Sequence, residues 1–272
     1  MDALCGYQVR CGFAPDKAAC DETQTLKLQN AADVKAGRIL YDGKAAATCL
    51  DVYRTLSCKL SEAGTTSLAQ AQTCYDVFKG TVAAGGACLT DEECQSQDCD
   101  KAACTESSTC CAGTCVAKIA AGGDCSAAGS QCADDLFCKR GTTAGTARCT
   151  ELVADGQPCT RTDFCVVGRR CNQGTCGFPP AHGQACPDLW CDSLEDVCDP
   201  ASKICVARIA VGGDCAGNPT GCMIYANCDA GTMKCVARKR AGEPCAQSTD
   251  CLLGVACTGG VCVPPPDPPV CM

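Results

Sequence analysis

Six times between residues 81 and 262, a glycine stands three residues ahead of a cysteine that opens a cysteine-rich segment. Gly85, Gly122, Gly156, Gly183, Gly212 and Gly242 precede Cys88, Cys125, Cys159, Cys186, Cys215 and Cys245. The last cysteine of one segment and the first of the next are always ten positions apart, from Cys115 and Cys125 to Cys235 and Cys245. A floppy linker tolerates changes of length cheaply, because loop entropy grows only logarithmically. A length held constant at five junctions predicts a defined geometry at each, and so a tandem array instead of one large globule.

The chain has 34 cysteines in 272 residues and only 4% aromatics, so little oil is left for a single large core. Zinc-thiolate sites usually present C-x2-C pairs, and this sequence has neither that spacing nor C-x-C. Gaps of four to six residues, as along Cys159, Cys165, Cys171 and Cys176, suit bridges between neighbouring loops. Disulfides on this scale predict an oxidising compartment, hence an extracellular or cell-surface protein. Residues 1–25 lack the pattern of an export signal, so the numbering is expected to begin on a processed chain. A net charge of −8 argues against nucleic acid as a partner, and no apolar run is long enough to span a bilayer.

Residues 1–80 differ from the rest, with six widely spaced cysteines (Cys5, Cys11, Cys20, Cys49, Cys58, Cys74) and most of the aromatics. Ala46, Cys49, Leu50, Tyr53 and Leu56 recur at helical spacing behind Asp42, a suitable N-cap. A second run, Ala71, Cys74, Val77 and Phe78, ends at Gly80, which suits a helix stop. The expected fold class is therefore small and disulfide-rich. It comprises a helical domain (1–80) stapled by three bridges, then a stiff or semi-stiff rod of six short β-ribbon modules. The modules span 81–118 (seven cysteines), 119–152, 153–179, 180–208, 209–238 and 239–262, followed by a Pro-rich tail, 263–272. Two short-loop bridges return only about 5–6 kcal/mol per module. Further stability is expected from the recurring junction text, Val116-Ala117-Lys118-Ile119 and Val206-Ala207-Arg208-Ile209, buried against its neighbour.

The Gly-x-x-Cys openings, the run Cys88-x5-Cys94-x4-Cys99 and the vicinal Cys110-Cys111 resemble Dickkopf-type and EGF-like cysteine-rich modules over about residues 81–262. Arrays of this kind behind a helical cysteine domain look like secreted or surface proteins of predatory soil bacteria. The resemblance implies an extracellular, non-enzymatic protein. Likeness to small extracellular modules implies pairing of the first cysteine with the third and the second with the fourth. Calcium is not carried over, because Asp91-Glu92-Glu93 precedes the second cysteine and not the first.

Cysteine parity raises a further question. Residues 1–115 hold thirteen cysteines, residues 125–262 hold twenty, and Cys271 stands alone beyond Pro264, Pro265, Pro266, Pro268 and Pro269. Either the array folds back to pair Cys271, or two thiols stay free, or chains are linked to one another. Cys104, Cys110, Cys111 and Cys271 are the candidates for such closure or assembly. Acidic residues of the first module (Asp91, Glu92, Glu93, Asp98, Asp100, Glu106) and the basic Arg238-Lys239-Arg240 suit head-to-tail contact between copies.

Site chemistry is sparse. His182 is the single histidine, in a slot that other modules fill with Ala, Asp or Val, so no catalytic role is expected. Cys110-Cys111 reads as two loop pins before a redox pair, and Trp190 as its module's packing residue before a contact residue. No catalytic, cofactor or metal residues are expected. The leading expectation is a structural protein that self-associates head to tail into a surface fibre. The alternative is an adhesin or binding protein that presents loops such as 139–148 and 216–221 to another protein or a glycan, or less readily a protease inhibitor.

Overall fold

A computed structural model describes residues 2–24, 28–62, 74–101, 110–127, 130–141, 146–160, 162–187, 190–266 and 270–271. The chain divides into two compact units. One comprises Met1–Thr25, Leu50–Leu68 and Phe178–Pro266; the other comprises Leu26–Cys49, Ala69–Gly177 and Asp267–Met272. Residues 1–80, read above as one domain, are thus shared between both units.

Helices among the described residues of the N-terminal region include α1 (Asp2–Arg10), α2 (Lys17–Thr23), α3 (Leu28–Lys35) and α4 (Gly43–Thr55). Three bridges staple it, Cys5–Cys20, Cys11–Cys58 and Cys49–Cys74. Asp42 caps α4 as expected, with Oδ1 accepting from the N–H groups of Lys44 and Ala45 at 2.9 and 3.0 Å. The buried stripe of α4 is rotated from the expected one. Ala45 and Val52 are buried and Cys49 and Leu56 half-buried, whereas Leu50 is 39% exposed. The expected second helix does not reach Gly80. Phe78–Gly80 is a strand (β2) that pairs antiparallel with Ile39–Tyr41 (β1), with Ile39 opposite Gly80. Gly80 is there for close approach, since a Cβ would lie 2.3 Å from the Cys94 carbonyl oxygen. Ala71 lies outside the described residues.

Beyond residue 80, each module is an antiparallel ribbon. The first is three-stranded, with β5 (Gly113–Cys115) between β3 (Ala87–Cys88) and β4 (Cys99–Asp100). The others are hairpins: β6–β7 (Leu136–Arg140, Ala147–Glu151), β8–β9 (Arg170–Asn172, Thr175–Gly177), β10–β11 (Asp196–Cys198, Cys205–Ala207), β12–β13 (Ala226–Asp229, Lys234–Ala237) and β14–β15 (Ala256–Thr258, Val261–Val263). In the tightest, Gln173-Gly174 and Gly259-Gly260 turn the chain with positive φ at both residues, as two-residue hairpin loops require.

The third and fourth cysteines of every module sit directly opposite one another across the ribbon, as Cys138 does Cys149 and Cys228 does Cys235. Opposed residues project from the same face. Both sulfurs therefore point toward the preceding loop, where the third cysteine bonds the first and the fourth bonds the second. The pairs are Cys125–Cys138 with Cys132–Cys149, Cys159–Cys171 with Cys165–Cys176 and Cys186–Cys198 with Cys191–Cys205. Cys215–Cys228 with Cys222–Cys235 and Cys245–Cys257 with Cys251–Cys262 complete the set. The implied pairing holds in all five. The seven-cysteine module obeys it too, with Cys88–Cys99 and Cys94–Cys115, so it is a four-cysteine module carrying an insertion between its third and fourth cysteines. Sulfur forms the core. Cys88, Cys94, Cys186, Cys205, Cys215, Cys235 and Cys251 are at most 1% exposed.

Junction geometry explains the glycines. At each of the six, φ lies between +75° and +87°, and the next residue's N–H bonds back three positions, as Gly213 N to Ala210 O at 3.0 Å. That is the third position of a type II turn, which selects glycine. The glycine N–H then donates to the carbonyl of its module's own fourth cysteine, at 2.7 Å for Gly212 to Cys235. Just ahead of the turn, one residue pairs in parallel with the second cysteine: Val82, Ile119, Val153, Ile209 and Lys239 with Cys94, Cys132, Cys165, Cys222 and Cys251. The fourth module has Pro180 here; lacking an N–H, it keeps only the bond from Asp192 N to its carbonyl. Ile119 and Ile209, half-buried, pack against the sulfur clusters of the modules they introduce, whereas Ala117 and Ala207 of the junction text are exposed.

Candidate functional site

Cysteines were the first candidates. Cys110 bonds Cys271 within the chain, with Cα atoms 5.4 Å apart. The tail is held there by Gln29 of α3, whose Oε1 accepts from Cys271 N at 2.6 Å and whose Nε2 donates to Cys271 O at 3.1 Å. Of the three outcomes open to the odd cysteine, the structure has the return within the chain. The link between chains is not the outcome seen, as Cys110 and Cys271 belong to the same compact unit. Cys111 is disulfide-bonded as well, and Cys104 lies outside the described residues. Among the described residues no cysteine is free. Three sulfurs cluster within 4.8 Å in module after module, Cys215, Cys222 and Cys235 among them, but all are disulfide sulfurs without thiolate charge.

Several of the charges suited to head-to-tail contact are engaged inside the chain. Glu93, fully buried, receives Arg38 through Nε at 2.8 Å and Nη2 at 2.6 Å, and Leu89 N at 2.7 Å. Burial pushes Glu93 up, but the guanidinium and the Leu89 N–H outweigh it and hold the carboxyl below its ordinary range. Asp33, 3% exposed, lies within hydrogen-bond reach of Glu93; burial and that neighbouring charge push it up. Asp91 Oδ1 accepts from Cys99 N at 2.8 Å, Asp98 is buried, and Glu106 lies outside the described residues. On the basic side, Arg240 pairs with Asp16, the N-cap of α2, and with Glu22. Arg238 turns inward, donating through Nε to Ile224 O at 3.2 Å and through Nη1 to Thr249 O at 2.8 Å.

His182 Nδ1 contacts Asp196 Oδ1 at 3.0 Å on an exposed edge. Trp190, expected to pack, is 55% exposed. Of loop 139–148, residues 142–145 lie outside the described residues, while Asn218 of loop 216–221 is buried. The six junction glycines, all at positive φ, set the chain's path.

The most site-like feature was not evident from the sequence. A cleft of about 330 Å³ is lined by Asn30 of α3, Cys74, Tyr75 and Phe78 at the approach to β2, and Asp91, Glu92 and Gln97 of the first module. Tyr75 is 64% exposed, and Phe78 tilts against Tyr41 with ring centroids 5.5 Å apart. Asn30 is 5% exposed. Three separate stretches of chain converge here, so only the clustering of aromatics before residue 80 hinted at it. Comparison with protein-family models, with curated proteins and with solved structures finds no match, so the Dickkopf-type and EGF-like resemblance rests on the disulfide-stapled hairpins alone.

Proposed function

We propose that the chain is an exported, non-enzymatic protein acting outside the cell or at its surface, a disulfide-armoured scaffold that works by presenting a binding face. One observation carries this reading: every described cysteine is oxidised within the chain, and the module interiors are built of sulfur. Such a fold persists only where disulfides persist. Non-enzymatic action is supported by the paucity of general-base chemistry, since the chain has a single histidine. Two observations that favoured fibre assembly are weakened, because Cys271 is bonded within the chain and Glu93 and Arg240 have partners in their own units.

The test is denaturing electrophoresis of the full protein without reductant, combined with a thiol count. A single species near 27.8 kDa with no reactive thiols is expected. A ladder that collapses on adding reductant would restore the covalent fibre, and many free thiols in the native protein would overturn export.

A further inference from the structure

Resting on the binding role just described, we propose that the cleft lined by Tyr75, Phe78, Asn30, Gln97, Asp91 and Glu92 takes a neutral, hydroxyl-rich sugar ring at the end of a glycan. Its volume of about 330 Å³ lies at the small end of ligand sites, enough for one or two sugar units. Two aromatic rings reach the surface at its rim, and the electron-rich face of such a ring attracts the weakly positive C–H face of a pyranose.

Polar groups at the cleft decide the class of ligand. Asn30 and Gln97 each offer an N–H2 donor and a carbonyl acceptor, while Asp91 and Glu92 bring acceptors. A hydroxyl both donates and accepts, so a polyhydroxyl ring uses the whole set. A bare ammonium would use the carboxylates and leave two amide donors facing a positive charge. Asn30, 5% exposed, lines this cleft from α3. Gln97 holds a positive φ of 59°, a backbone state that a residue other than glycine seldom adopts.

Calorimetric titration of the full, oxidised protein with cellotetraose, mannotetraose and tetra-N-acetylchitotetraose tests this. At least one is expected to bind saturably, with a Kd in the range of about 0.1–5 mM, unchanged between 0.05 and 0.5 M salt. Tyr75→Ala, a surface change that keeps the fold, should weaken it at least tenfold, and Asn30→Leu about as much. Trp190→Ala, exposed in the other unit, should leave it unchanged. Absence of binding by all three sugars, binding indifferent to Tyr75→Ala, or salt-sensitive binding of tetralysine in their place would each overturn the assignment. None of these outcomes touches the export reading, which falls only with the thiol count.

Discussion

At residue scale, the densest chemistry is the acid pair of Asp33 and Glu93. Gln29 Nε2 donates to Asp33 Oδ1 at 2.7 Å, while Asp33 Oδ2 has no donor among the described residues. Burial and the neighbouring Glu93 charge both favour the protonated form of Asp33. Because its folded pKa is raised, the stability Asp33 contributes is fully present below its unfolded value near 4 and is lost as pH rises through the folded value. Glu93, held low, behaves in the opposite sense and loses its contribution as pH falls. Asp33→Asn keeps a donor toward Glu93 without a titrating group. Thermal unfolding should show the variant melting a few degrees above the native protein at pH 7, and no higher at pH 3.

Elements are joined by short, well-bonded junctions, and arginine does much of the joining. Arg208 donates through Nε to Leu194 O at 3.0 Å in its own module and through Nη1 to Cys222 O at 3.1 Å in the next. Arg238 repeats the arrangement one module later, reaching Ile224 O behind and Thr249 O ahead. A guanidinium can do this because its donors diverge in a plane, whereas an ammonium has one point of charge. Arg238→Ala should therefore cost about 2 kcal/mol. Hydrogen exchange should quicken at Lys239 and Leu252, whose amides close the junction, and Arg238→Lys should recover less than half of the protection.

For the whole molecule, the Cys110–Cys271 bond closes the longest separation, 161 residues. A simple chain-entropy rule assigns such a loop about 5 kcal/mol. The intervening segment is already crosslinked by ten module bridges, so its unfolded state has far less freedom to lose. The double variant Cys110→Ser/Cys271→Ser should consequently lose only about 1–3 kcal/mol, a discount on the same rule, measured by denaturant unfolding under oxidising conditions. It should remain monomeric and keep the module bridges, as non-reducing peptide mapping will show.

What the sequence determined by itself was whatever depends on neighbours along the chain. The repeat, its junction glycines, the capped α4 and the disulfide-rich class were all legible, because turns, caps and short crosslinked loops are local. Phe78–Gly80 reads as a helix end locally and becomes a strand because Ile39–Tyr41 lies beside it. The tertiary structure alone decided where Cys271 goes, that Arg240 meets Asp16, and that residues 1–80 divide between two units. It alone brought Asn30, Tyr75 and Asp91 to one cleft. Those outcomes turn on which distant surfaces pack together, and in a chain whose cores are sulfur, few large apolar side chains are left to signal that choice in advance.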